Sequence, residues 1–422
     1  MSAPSPTQAS DPKPTGGSPT SRQPQSGSGG NPLVGAVSYL GSQLRQIGLF
    51  IALIVIVLFF QITTNGITLA PINVSNLVVQ NSYILILAIG MVMVIIAGHI
   101  DLSVGSIVAF TGAMAGVMIT QWGLPWPVAV VLCLVLGGLV GAWQGFWIAY
   151  FGIPAFIVTL AGMLAFRGAA QIALQTQQIS PFPQGFRDIG SGFLPAFGST
   201  GYEPLTLVLG AIAAVALIGT GLRGRATRRK YQLEDEPFLW FVTKMVFTVG
   251  LVMYIGFLLA SYSGTPIVLV VLAVLVVVYS TVMKNSVFGR HVYAIGGNLH
   301  AAELSGIKTK RVTFLLFVNM GVISALAGLV FTGQLNLASG SAGNGFELDA
   351  IAAVFIGGAA VTGGIGTVTG AIVGGLIIGI LNNGMSILGV GSEYQSLIKG
   401  LVLLAAVAFD VFNKRRAGSS GK

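Results

Sequence analysis

The sequence predicts an all-α, polytopic membrane helix bundle of about 10–12 transmembrane helices, with both termini in the cytoplasm. Three observations carry this. Asp, Glu, Lys and Arg make up only 8% of the 422 residues, against 54% hydrophobic residues and a mean hydropathy of +0.86. Soluble domains carry roughly 25% charge, so there is too little here to cover a water-exposed surface of this size. Apolar runs long enough to cross ~30 Å of hydrocarbon recur along the chain. The basic residues gather in short clusters that fall on one side of that alternation.

The elements follow in order. Residues 1–32 are Ser, Pro, Gly, Gln and Thr with scattered charges. They cannot bury enough apolar surface to offset ordering entropy, so they are expected to form a disordered cytoplasmic tail. No apolar stretch of a secretory signal precedes residue 33. Residues 33–422 then form one transmembrane domain. Spans are expected near 47–64, 75–98, 102–121, 127–150, 154–174, 204–222, 238–260, 266–283, 312–333, 350–367, 368–388 and 394–413. Gly-rich stretches leave room for broken or re-entrant helices.

Charge placement orients the bundle. The loop 223–237 holds Arg223, Arg225, Arg228, Arg229 and Lys230; the loop 284–311 holds Lys284, Arg290, Lys308, Lys310 and Arg311; the tail holds Lys414, Arg415 and Arg416. An even number of spans precedes each cluster, so all three share the side of the N-terminus. The loops on the other side, near 175–203, 261–265, 334–349 and 389–393, contain Arg187 as their only basic residue. Positive charge marks the cytoplasmic face. Within the spans, Gly137, Gly141 and Gly145 share one helix face, as do Gly366, Gly370 and Gly374. Such faces let backbones approach closely in lipid; a gate or hinge is the alternative reading.

Several function classes are excluded or weakened. One cysteine, Cys133, gives no intrachain disulfide and no cysteine-based metal cage, and His99, His291 and His300 are too scattered for a metal site. No metal and no cofactor are expected. The net charge of +9 sits in clusters between apolar runs, which suits anionic membrane lipid or a protein partner rather than nucleic acid. No zinc-protease, serine-hydrolase or paired-aspartate motif is present. The run Gly363-Gly364-Ile365-Gly366-Thr367-Val368-Thr369-Gly370 lacks the lysine of a phosphate loop, and reads as a tightly packed helix junction. Ionisable residues among the apolar runs are few: Asp101, Arg167, Lys399 and Asp410. Asp101 either caps a helix starting at Leu102 or lines a solute path. Arg167 either snorkels to an interface or pairs internally.

The most informative polar segment runs from Phe288 to Ile307. Gly296-Gly297-Asn298 forms a turn with Asn298 as N-cap, Leu299 to Ser305 a short helix with small residues at Ala301 and Ala302, and Gly306 a stop. That helix suits docking in a partner's groove as well as it suits a plain surface loop.

Three ordered blocks resemble a known family. Residues Ala294 to Ile307 resemble the coupling-helix region of sugar permeases in ATP-binding-cassette importers, the ribose, arabinose and xylose branch. Gly98-His99-Ile100-Asp101-Leu102-Ser103-Val104-Gly105-Ser106 is similar to that family's Gly-Gly-Ile-Asp-Leu-Ser-Val-Gly signature, with His99 where Gly is usual. Gly357-Gly358 through Val368, with Leu381-Asn382-Asn383-Gly384-Met385, resembles a third block. The resemblance covers roughly residues 48–413. An added region, about 223–262, resembles the enlargement of the xylose-type branch.

The resemblance implies a permease subunit that is not itself an enzyme. Its partners would be a cytoplasmic ATP-binding subunit, an extracytoplasmic sugar-binding protein and a second permease copy. Coupling to the ATPase would fall on Asn298, Ala301, Ala302, Glu303, Leu304, Ser305 and Gly306 within the cytoplasmic loop 284–311. A bulky residue at Ala302 or Gly306 is expected to uncouple uptake from ATP hydrolysis. Polar path candidates are Asp101, Asn336, Ser339, Ser341, Asn344, Asn382 and Asn383. The alternative is an ion-coupled secondary transporter of a small polar solute, for which the sequence offers only isolated acids.

Overall fold

The computed structural model describes residues 44–196, 202–232 and 237–419. The expected disordered tail, 1–32, lies outside them. In chain order the helices are α1 (Leu44–Thr63), α2 (Pro71–Gln80), α3 (Ser82–Ile96), α4 (Val104–Gly116), α5 (Trp126–Ala149), α6 (Ala155–Ala173), α7 (Gln184–Ser191) and α8 (Pro204–Lys230). They continue as α9 (Phe238–Ala260), α10 (Ile267–Asn285), α11 (Val287–Gly297), α12 (Leu299–Leu304), α13 (Thr309–Leu335), α14 (Phe346–Ile356), α15 (Val368–Ile387) and α16 (Ser392–Ser419). Among the described residues, extended pairing is limited to two isolated bridges, Ile179–Ala338 and Phe193–Pro266.

Among the described residues, eight helices are long and apolar enough to cross a membrane, counting α4 with the π-helical turn Val117–Gln121 that extends it, or nine if α2 and α3, bent by 44° at their junction, make one span. The chain is a multi-pass helical bundle, and every expected span but one coincides with a helix along most of its length. The exception is 350–367. There α14 has 11 residues, so it is about 16 Å long, half a bilayer. Gly357 and Gly358 stop it, and Gly358, Gly363 and Gly364 all take positive φ in the link to α15. The crossing is still made. Ala338, just after α13, pairs with Ile179 after α6, while the Gly364 amide donates to the Ile96 carbonyl beside Gly297. These are opposite ends of the bundle, joined by a non-helical leg, a half-helix and a second non-helical leg.

A second correction concerns 223–237. The basic stretch is not a loop: α8 runs on to Lys230, with Arg228, Arg229 and Lys230 in its last turn. Cations there complement the negative end of the helix macrodipole. The region 223–262 thus comprises the end of α8 and the whole of α9.

The centre of the bundle is α3, whose residues Ile84 to Ile96 are all buried. It carries no charge, so it can sit among other helices without an unpaired ion. Around it stand α10, α13, α14 and α15. Both glycine faces are packing surfaces. A Cβ at Gly137 would strike the Gly321 carbonyl and Ala325, one at Gly141 the Phe317 carbonyl, and one at Gly145 would stand 3.2 Å from Phe317 Cβ. Likewise Gly370 abuts Gly357, and Gly374 abuts the Ala353 carbonyl. In lipid, where apolar burial between helices gains little, this close backbone approach supplies the dispersion energy that joins α5 to α13 and α15 to α14. By contrast α8 and α9 leave most of their apolar side chains uncovered, as lipid-facing helices do.

Candidate functional site

Two polar regions stand out in this apolar bundle. The first is the short helix α12. Asn298 is its N-cap, as expected: the Asn298 side-chain carbonyl accepts from the Ala301 amide at 2.9 Å. Gly306, at φ +81°, turns the chain after it, and the Gly306 and Ile307 amides close the end by donating to the Glu303 and Ala302 carbonyls. Glu303 also accepts from the Thr309 hydroxyl at 3.2 Å, tying α12 to the start of α13. The side chains divide cleanly. Ala302 is buried among Val292, Ile295 and Val312 of the core, whereas Ala301, Glu303 and Ser305 are exposed and Leu304 is 91% exposed. Leu304 projects away from the bundle, uncovered by the rest of the chain. Ala302 is thus a seating residue and Leu304 the projecting one, a distinction that spacing alone does not give.

Immediately behind α12, three backbone junctions meet. Gly296 and Gly297 at the end of α11, Ile96 at the end of α3, and Gly363 to Gly366 before α15 lie in backbone contact. A Cβ at Gly296 would fall on the Ile96 carbonyl. The Tyr293 hydroxyl donates to the Gly366 carbonyl at 2.7 Å, and burial raises that phenol above its usual range, so it stays a donor. The glycine run 363–370 is the close-packed junction its lack of lysine suggested. The turn that bears α12 is thus in direct backbone contact with the end of α3 and the α14–α15 link.

The second polar region lies at the start of α14 and the link before α4. Asp101 is fully buried, and its Oδ1 accepts from the Ser103 amide at 2.8 Å and the Ser103 hydroxyl at 2.6 Å. The helix begins at Val104, not Leu102, so Asp101 shapes the turn before it rather than capping it directly. Gln144 of α5 donates to the Ser103 hydroxyl at 2.8 Å. Asp101 Oδ2 and Gln144 Oε1 remain buried without a protein partner. His99, the departure from the family signature, lies half-buried with its ring 5.8 Å from that of Phe317.

Glu347 and Asp349 occupy the first turn of α14, where helix dipoles favour carboxylates. Asp349 accepts from Lys399 of α16 at 2.9 Å. Arg167 of α6 donates to the Gly340 carbonyl at 3.1 Å and to the Ala342 carbonyl, and its charge acts on Glu347. It pairs internally instead of snorkelling. Tyr83 stacks on Phe346 at 3.8 Å, with Phe331 edge-on to both. The half-helix is thereby held by α6 on one side and α16 on the other.

The remaining candidates separate. Asn383 exchanges two side-chain hydrogen bonds with Asn73 of α2, at 2.9 and 3.0 Å. Asn336 takes a left-handed conformation ending α13, and its side chain accepts from the Phe182 amide at 2.7 Å, a loop-fixing role. Ser339 and Ser341 bond each other at 3.0 Å, and Asn344 is exposed. Asp410 lies in α16. Asn73, Tyr83, Gln144, Glu347 and Asp349 were not singled out by the sequence. The pair Glu347 and Asp349 standing directly before an apolar run was the available signal. Among the described residues no group of three or more His, Cys, Asp or Glu could hold a metal. The region offers buried hydrogen-bonding groups, one ion pair between Asp349 and Lys399, and unpartnered carboxylate oxygens on Asp101 and Glu347.

Known proteins match this arrangement. Residues 73–407 match the family described as branched-chain amino acid transport system, permease component. The xylose transport system permease protein of Escherichia coli is 42% identical over 387 residues, 92% of this chain and 97% of that protein. That of Haemophilus influenzae is 42% identical over 368 residues, 87% of this chain and 96% of that one. The ribose import permease protein of Bacillus subtilis is 33% identical over 367 residues, 87% and 93% of the two chains. No solved structure matches the chain. With most of its length aligned, and its glycine-packed bundle in place, this multi-pass membrane protein belongs to that family of transport-system permease components.

Proposed function

We propose that the chain is the permease subunit of an ATP-binding-cassette importer that carries a monosaccharide, a pentose such as xylose, across the cell membrane. The observation that carries this is the 42% identity to xylose permeases over nearly the whole of both chains. The polar interior supports it. A neutral sugar needs hydrogen-bonding groups and no charged counter-site, and Asp349 at the head of α14 is paired with Lys399.

In this reading the termini, the basic end of α8 and the turn bearing α12 face the cytoplasm. ATP hydrolysis belongs to a separate cytoplasmic subunit, whose groove receives α12. A second permease copy and an extracytoplasmic sugar-binding protein complete the assembly. Closure of the ATPases moves α12, and the backbone junction at Gly296, Ile96 and Gly364 passes the displacement to α3 and the half-helix α14. The bundle then changes between inward- and outward-facing states. Asp101, in the link after α3, and Asn382 and Asn383 of α15, which packs on α14, are the path residues proposed.

The test is a co-purification from native membranes through a C-terminal tag in mild detergent. The expected result is a stoichiometric subunit with a phosphate-loop motif. A chain that purifies alone, and moves pentose in vesicles driven by an ion gradient without ATP, would overturn the proposal in favour of a secondary transporter.

A further inference from the structure

Three buried side chains at the start of α4 form an open chain of hydrogen bonds. The Gln144 Nε2 donates to Ser103 Oγ at 2.8 Å, and Ser103 Oγ donates to Asp101 Oδ1 at 2.6 Å. Both ends of this chain are acceptors with nothing to accept: Asp101 Oδ2 and Gln144 Oε1 are buried without a protein partner. Each is the second polar atom of a group whose first already bonds Ser103, so both stand beside the same hydroxyl. All three residues are fully buried.

The surroundings supply no cation to balance a carboxylate. Helices α3, α4 and α5 carry no charged side chain. Helix α6 touches the link through the Thr159 hydroxyl, and its one cation, Arg167, is bonded to the Gly340 and Ala342 carbonyls. Helix α13 touches it through Phe317, which meets the His99 ring, while its cations Lys310 and Arg311 are exposed in its first turn. Helix α14 brings only acids, Glu347 and Asp349. Burial pushes the Asp101 carboxyl up to about 6, and its two hydrogen bonds from Ser103 pull the other way. A buried carboxylate without a cation is costly, and two orphaned acceptors add to the cost. One proton on Oδ2 removes the charge and turns one of the two acceptors into a donor.

We propose that Asp101 is a proton-binding site: its protonated Oδ2 donates to Gln144 Oε1 and closes a ring of three hydrogen bonds that pins the first turn of α4 to α5. The ring opens when the proton leaves. Asp101 then serves the proposed path as a positioning residue. The proposal needs the folded bundle but not the transport reading, so a failure of sugar uptake leaves it standing.

The test is infrared spectroscopy of the purified full chain in phosphatidylcholine vesicles, following the carbonyl stretch of protonated carboxyl groups as the pH is lowered through about 6. A band is expected that grows on acidification, shifts in heavy water and is lost in Asp101→Asn. Gln144→Leu removes the acceptor and should move the band to higher frequency. Asp101→Asn places an N–H donor where the ring needs one, so it should keep the wild-type unfolding temperature, whereas Asp101→Ala should lower it. The comparison of wild type with Asp101→Asn decides alone should Gln144→Leu fail to fold. No Asp101-dependent band before the ordinary carboxylates titrate, as for an ionised group completed by water or a metal cation, would overturn the site. A band retained in Asp101→Asn would give the proton to Glu347 or Asp349 and also overturn it. An Asp101 band that Gln144→Leu leaves unmoved would overturn the ring.

Discussion

Replacing Leu304 by Ala separates docking from seating in α12, the helix proposed to couple to the ATPase. In the isolated chain Leu304 is 91% exposed, so truncating it removes almost no contact from the fold. In the assembled importer, the same side chain is proposed to sit in a groove of the ATPase subunit. Leu→Ala removes about three carbons' worth of apolar burial at ~0.8 kcal/mol each, about 2 kcal/mol in all. That corresponds to a dissociation constant weakened roughly thirtyfold. The assay is titration of the purified ATPase subunit onto the permease in nanodiscs, with thermal unfolding of the permease alone as control. Ala302→Leu should behave in the opposite way. Ala302 is 3% exposed, so the added carbons overpack the contact with α11 and α13 and destabilise the permease itself by about 1–3 kcal/mol. Wild-type ATPase affinity in Leu304→Ala would refute the assignment of the projecting face, whatever Ala302→Leu does.

Other predictions concern the bundle. Asp349→Leu alone leaves Lys399 uncompensated and should destabilise the protein by about 3 kcal/mol, the low end for a buried pair because Lys399 is a quarter exposed. The double variant with Lys399→Met should recover most of that loss in thermal unfolding. Gly141→Leu should abolish stable insertion, because its side chain must enter the Phe317 backbone; Gly138→Ala, facing only Val322 Cγ2 at 3.3 Å, should be tolerated in the same expression assay. A double-mutant cycle on Asn73 and Asn383 should give a coupling energy of about 1 kcal/mol, typical of hydrogen bonds between membrane helices; a cycle that closes additively would remove their bonded pair.

The span pattern was legible because hydropathy acts over about twenty residues at a time and tolerates local error. The glycine faces at Gly137 and Gly370 were legible because a repeat of four residues has one physical use in a lipid-embedded helix. The half-helix was not. Residues 350–367 are apolar throughout, and hydropathy does not register that Gly357 and Gly358 end the helix. The α8 extension was missed for the converse reason. Arg223 to Lys230 read as a loop by polarity, but basic residues are good helix formers and suit a C-terminus.

At the site, the cap Asn298 and the stop Gly306 were read correctly, since capping chemistry is local. The pairing of Asp349 with Lys399 spans 50 positions and that of Asn73 with Asn383 spans 310, and no local pattern encodes either. Asn336 was read as a path residue, yet its left-handed backbone conformation and its bond to the Phe182 amide give it a loop-fixing role.

The central claim is that ATP, spent on a separate subunit, drives a pentose through this bundle. The most direct measurement is uptake of radiolabelled xylose into proteoliposomes containing the permease, its ATPase subunit and its binding protein. The account predicts accumulation that needs ATP and all three proteins, persists when ion gradients are collapsed, and falls with Leu304→Ala in parallel with ATPase binding. Accumulation by the permease alone, or uptake that collapses with the ion gradient while ATP remains, would contradict it.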